Sequence, residues 1–216
     1  MTVIVATLLA LFLGAMDSLV VSAAMPTIVA ELGGLHLYSW VYSAYLLARA
    51  VSLPVFGKLA DLYKSRNLFL AAIGLFIVSS VLAGCAFNML ALIVARAFQG
   101  IGAGAIFALV YVVLADISPP QSRGRTLSFA SSVWGIASVL GPTLGGFIVS
   151  YFSWRWIFFI NIPLGLGSLW GIRAYVVELR VKKDKVSIDI AGVFTRSFLV
   201  FILVVNLPDY FLMTKR

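Results

Sequence analysis

Three charged side chains lie inside apolar runs and are the residues best placed to do chemistry: Asp17 in LGAMDSLVV, Arg49 in LLARAVS and Arg96 in LIVARAFQGIGAGA. A charge near the centre of a bilayer costs at least ~2.5–3.5 kcal/mol on insertion scales, so each should face a bundle interior or a watery cavity and have a partner. A carboxyl so placed has its charged form disfavoured by desolvation and favoured by a nearby arginine, which suits it to bind and release a proton. Asp17 is therefore the candidate proton carrier, with Arg49 or Arg96 as its switchable partner. A permanent ion pair that only fixes helix packing is the alternative.

Depth along the helices bears on the choice of partner. Asp17 lies eleven residues inside Ile28, or ~16 Å, and Arg49 twelve residues inside Leu37, or ~18 Å. Arg96, six residues inside Leu90, is ~9 Å deep and fits less closely unless its helix tilts. Tyr38, Tyr42, Tyr45, Arg49 and Ser52 recur at three- and four-residue steps, one face of a helix. That face either walls a cavity, with Tyr42 and Tyr45 as candidate lining residues together with Gln99 of the fourth span, or makes hydrogen bonds between helices. Gly100, Gly102 and Gly104, on the helix of Arg96, let a neighbouring backbone approach closely.

The elements that must position these residues are membrane helices. Of 216 residues, 62% are hydrophobic and 11% charged, and the mean hydropathy is +1.07, whereas soluble domains carry roughly a quarter charged residues. At ~20 apolar residues per crossing, six spans are expected: Val3–Ile28, Leu37–Phe56, Leu68–Phe87, Leu90–Leu114, Leu127–Tyr151 and Trp156–Val177. A signal peptide does not describe the first, which has no basic leader and is interrupted by Asp17.

Basic residues sort by loop. Lys58, Lys64 and Arg66 follow span two, Arg123 and Arg125 follow span four, and Arg180, Lys182, Lys183 and Lys185 follow span six. The other loops carry little basic charge, with Arg155 after span five. The positive-inside rule then puts the even-numbered loops and the N-terminus in the cytoplasm, with Trp40, Trp154 and Trp156 at the outer interface. The net charge of +8 thus belongs to membrane topology and predicts no nucleic-acid partner. A lone cysteine, Cys85, and a lone histidine, His36, supply no metal cluster. No nucleophile–base pair or phosphate loop stands out, so neither enzyme activity nor a cofactor is expected.

The chain is expected to divide into a six-span bundle over 1–178, a basic cytoplasmic loop over 179–190 and a partial seventh helix with a truncated tail over 191–216. Arg196 interrupts the last run, and Pro208, Asp209, Lys215 and Arg216 follow it. Crossing there would carry Lys215 and Arg216 outside, against the pattern of the first six spans.

Five motifs in order resemble the major facilitator superfamily, and within it the fourteen-span drug:proton antiporters. Met16-Asp17 with Val20, Val21, Ala24 and Pro26 is similar to the motif of span one, with Leu19 and Ser22 replacing its threonine and asparagine. Gly57, Leu59, Asp61 and Arg66 fit the cytoplasmic motif after span two. Lys64 and Ser65 stand where that motif has a glycine and an arginine, so strain is expected at Lys64, since glycine supplies a positive φ there. Leu92, Arg96, Gln99, Gly100 and Gly102 match the motif of span four, and Gly141, Pro142, Gly145 and Gly146 the antiporter signature of span five, with Ala137 for its first glycine. Trp154-Arg155-Trp156 with Phe158, Phe159, Asn161 and Pro163 is similar to the opening of span six in that family.

The resemblance implies an all-α membrane fold of major-facilitator type, here the N-terminal half of a transporter whose two halves rock about a central site. It also implies a cytoplasmic gating cluster of Gly57, Asp61, Arg66, Asp116 and Arg123 that biases the outward-open state. The expected activity is proton-coupled export of drugs or other amphipathic organic compounds across the plasma membrane. Its partners are then a small organic substrate, protons, the bilayer and the missing C-terminal half. Uptake of basic amino acids or chelates is a variant, and a fragment that folds without transporting is the second hypothesis.

Overall fold

The structure is a computed structural model that describes residues 2–119 and 121–176; the expected basic loop and partial seventh helix lie outside the described residues. It is built of helices α1 (Thr2–Leu32), α2 (Tyr38–Leu62), α3 (Ser65–Gly84), α4 (Met89–Asp116), α5 (Arg123–Tyr151), α6 (Trp156–Phe159) and α7 (Asn161–Tyr175), with a 3-10 turn at Leu35–Leu37. Among the described residues, five stretches are long and apolar enough to cross a membrane: α1, α3, α4, α5 and the combined run Trp156–Tyr175. α2 has the length, but its tyrosines, serines, Arg49 and Lys58 dilute the apolar run. The sixth span runs as one continuous stretch with a single-residue interruption of its ladder at Ile160, which keeps φ −62° and ψ −22°. α6 stops at Phe159 and α7 starts at Asn161, and Pro163 has no N–H to give the Phe159 carbonyl.

Local chemistry sets the helix ends. α1 ends where Gly33 and Gly34 adopt φ values of 70° and 72°, a left-handed turn that favours glycine. The Asn88 side chain caps α4 by accepting from the Ala91 N–H at 2.7 Å. Lys64 takes φ −61° and ψ 116°, so the turn into α3 uses an extended residue. The expected strain at Lys64 is absent, because this turn does not require positive φ.

α1 packs on α5 and α7, and α4 on α2 and α3. Glycines permit the close approaches. A Cβ at Gly100 would stand 2.3 Å from the Tyr45 carbonyl oxygen, and one at Gly104 would stand 2.4 Å from that of Arg49. Gly141 and Gly145 seat α5 against Leu19 and Val20 of α1, while Gly146 meets open space and Pro142 is exposed. At the C-terminal end of α1, the indole N–H of Trp154 donates to Glu31 Oε2 at 2.7 Å, and Arg155 pairs with Glu31 Oε1.

The apolar core falls into two clusters. One holds Leu11, Leu13, Tyr45, Phe69, Phe76, Ala103, Leu109 and Ile172; the other holds Met16, Val21, Ile28, Val41, Ala83, Leu92, Trp154 and Phe158. Along α1 the change falls between Leu13 and Met16, along α3 between Phe76 and Ala83, and along α4 between Ala95 and Ala103. Buried polar residues gather at or next to that seam.

Candidate functional site

Asp17, Ser80, Arg96, Gln99 and Asn161 form the seam, each 1% exposed or less. They come from α1, α3, α4 and α7. Arg96 and Gln99 are three residues apart on α4 and so project from one face.

The Asp17 carboxylate receives three N–H donors. Arg96 Nη1 donates to Oδ2 at 2.6 Å, Gln99 Nε2 to Oδ1 at 2.9 Å and Asn161 Nδ2 to Oδ1 at 2.7 Å. Arg96 Nη1 also reaches Gln99 Oε1 at 2.7 Å. Ser80 Oγ accepts from Gln99 at 2.6 Å and from Asn161 at 3.2 Å. The Arg96 guanidinium lies 4.0 Å from the centre of the Tyr45 ring, and the Tyr45 hydroxyl donates to the Gly14 carbonyl at 3.3 Å. Three buried atoms of the layer have no partner among the described residues: Arg96 Nε, Arg96 Nη2 and Asn161 Oδ1.

A buried pair costs desolvation on both ions, which its mutual attraction offsets only with good geometry and further hydrogen bonds. Any event that neutralises one partner changes the whole network.

Arg49 stands elsewhere. Its guanidinium sits 4.5 Å from the Phe107 ring centre and 5.3 Å from that of Trp134, and no ion pair between it and Asp17 occurs among the described residues. The depth count that favoured Arg49 fails because the helices do not end level. Gly104 packs on the Arg49 backbone, and Gly104 is eight residues, or ~12 Å, past Arg96 along α4.

On the aromatic face of α2, Tyr45 and Ser52 are buried, the first under Arg96 and the second beside Gly104, while Tyr42 is half-buried. Gln99 is a buried link between charges. At the end of the bundle where α2 meets α3, Arg66 Nη2 donates to the Arg173 carbonyl in the last turn of α7 at 2.5 Å. Asp61, Arg123 and Arg125 are exposed, Gly57 and Asp116 half-buried. Ser80 carried no signal in the sequence, and Asn161 entered only as part of a motif; its signal was a polar residue two positions before a proline in an apolar span.

The Major Facilitator Superfamily family model matches residues 7–213. The chain is 40% identical over 194 residues to Multidrug resistance protein 3 of Bacillus subtilis (strain 168), covering 89% of this chain and 38% of that protein. It is 39% identical over 197 residues to Efflux pump dotC of Dothistroma septosporum (strain NZE10 / CBS 128990), covering 89% and 34%. The chain thus spans little more than a third of the length of these relatives. Among solved structures, the fold matches the proton:xylose symporter XylE with a TM-score of 0.74 at 17% identity, covering 82% of this chain and 45% of that one. It matches the human organic anion transporter MFSD10 with a TM-score of 0.70 at 16% identity, covering 87% and 51%. With a matching family model over nearly its whole length and a helical bundle of the same fold, this multi-pass membrane chain belongs to the Major Facilitator Superfamily.

Proposed function

We propose that the bundle is the N-terminal half of a proton-coupled exporter of drugs or other amphipathic organic compounds, with Asp17 as the proton-carrying group and Arg96 as its switchable partner. The observation that carries this is the fully buried Asp17–Arg96 pair at the seam of the core. Protonating Asp17 neutralises one ion and leaves Arg96 to seek another acceptor, so proton binding and helix rearrangement are linked. Relatives named as multidrug resistance and efflux proteins support the substrate class. The proposed pathway needs a second half, which the longer relatives have the length to contain, and places the N-terminus and even-numbered loops in the cytoplasm of a plasma-membrane protein.

The inner-end residues Gly57, Asp61, Arg66, Asp116 and Arg123 are proposed as the gating cluster, and Gly141 and Gly145 as the close seat of α5 on α1. Arg49, stacked on the Phe107 and Trp134 rings, is proposed as a cavity cation on the same helix as Tyr42.

The test is export of a fluorescent amphipathic compound from membrane vesicles under an imposed pH gradient, with this half in its full-length protein. Asp17→Asn should abolish gradient-driven flux at normal expression. Undiminished flux would refute the coupling role.

A further inference from the structure

We propose that Asn161 is a positioning residue that holds the Asp17 carboxyl in both of its protonation states, by turning its side-chain amide over. This rests on the proton-coupling reading of Asp17. It concerns a residue that the reading did not need.

In the ionised state all the neighbours of Asp17 donate: Arg96 to Oδ2, and Gln99 and Asn161 to Oδ1. A proton taken from cavity water forms an O–H bond on Oδ1, and the new donor then faces other donors. One neighbour must become an acceptor. Arg96 has no acceptor atom. Gln99 offers its Oε1 only by breaking the bond from Arg96 Nη1. Asn161 is different, because its Oδ1 is buried and has no partner among the described residues.

Turning the Asn161 amide loses its donations to Asp17 and to Ser80 Oγ. It brings Oδ1 to the same place, where it accepts from the Asp17 O–H and from the Ser80 O–H, a hydroxyl being both donor and acceptor. Two bonds are exchanged for two, and one amide atom is unpaired on either side of the turn. Deprotonation returns the proton to water and the amide to its first orientation; no other covalent bond changes.

Asn161 opens α7 at the break after α6, where Pro163 interrupts the ladder. The ionisable groups facing Asp17 are Arg96 of α4 and Tyr45 of α2. Arg49 lies farther along α2, beside Gly104. The remaining charges of the packed elements stand toward the bundle ends. Lys58 and Asp61 are in the last turns of α2, Arg66 in the first turn of α3 and Asp116 at the end of α4. Arg123 and Arg125 open α5, and Arg173 lies twelve residues, or ~18 Å, past Asn161. Glu31 and Arg155 pair at the outer rim.

The experiment is an acid-minus-neutral infrared difference spectrum of the chain in phosphatidylethanolamine–phosphatidylglycerol nanodiscs, with carbon-13 aspartate or asparagine. The protonated carboxyl band of Asp17, identified by its loss in Asp17→Asn, should lie at the lowered frequency of a carboxyl whose O–H is bonded. Asn161→Leu should move it up to the free-carboxyl position, and Asn161→Ser should recover part of the lowering. In the unsubstituted chain, an asparagine side-chain carbonyl band should shift in step with Asp17, which decides the matter even if Asn161→Leu fails to fold. An Asp17 band that titrates at the same frequency in wild type and Asn161→Leu, or a still asparagine carbonyl, overturns the role of Asn161 alone. Absence of any Asp17 band while the chain remains folded overturns the proton-coupling reading, and this inference with it.

Discussion

Replacing Arg96 by methionine leaves Asp17 buried at 1% exposure with only neutral donors, Gln99 and Asn161, on its carboxylate. Breaking a buried pair by removing one partner costs about 3–5 kcal/mol. Arg96 also loses its place over the Tyr45 ring at 4.0 Å, a contact worth up to about 2 kcal/mol when desolvated. The two losses belong to one network and do not simply add. Asp17→Asn keeps the shape and an oxygen for Gln99 and Asn161, but leaves the Arg96 charge unpaired. The double variant removes both charges, and replacing a whole buried pair is commonly neutral or stabilising by about 1–4 kcal/mol. Asp17→Asn/Arg96→Met should therefore unfold at higher denaturant than Arg96→Met alone, with a coupling energy well above ~0.5 kcal/mol. Equilibrium unfolding of the purified chain in mixed micelles measures it. Single effects that add within ~0.5 kcal/mol would refute the claim that the two charges are each other's partners.

Further predictions follow from the same packing. Gly104→Ala should destabilise by about 1–3 kcal/mol, because its Cβ would stand 2.1 Å from Ser52 Oγ and 2.4 Å from the Arg49 carbonyl oxygen; Gly74→Ala, in open space within α3, should stabilise by about 0.5–1 kcal/mol. Thermal unfolding of both variants checks the pair. Ser80→Ala should cost about 1–3 kcal/mol by removing an acceptor that two buried amides share, read in the same unfolding assay. Arg49→Met should alter Trp134 fluorescence, since the guanidinium sits 5.3 Å from that ring, and should show no coupling to Asp17→Asn beyond ~0.5 kcal/mol.

The helical fold was legible because membrane spans must satisfy their backbone internally and advertise themselves by length and apolarity. Asp17 and Arg96 drew attention for the converse reason, since charged groups inside such runs are costly, while Gln99 entered with the motif of the fourth span. The one-residue interruption of the ladder at Ile160 was not foreseen, although Pro163 withholds an N–H from that turn. Arg49 was misjudged because residue counts from helix ends give depth only where ends are level, and here α1 and α4 are not. Ser80 looked like any small residue of a membrane helix. Its partnership with Gln99, 19 residues away, exists only once α3 and α4 pack. The turn at Lys64 shows the opposite error, a family glycine taken as a conformational requirement where this backbone has φ −61°.

The most direct test of the central claim is proton release on substrate binding. The full-length protein containing this half, purified in weakly buffered detergent, should release protons when an exported amphipathic compound is added. Asp17→Asn should bind the compound and release none. Equal release from both proteins would contradict the account and leave the Asp17–Arg96 pair a fixture of helix packing.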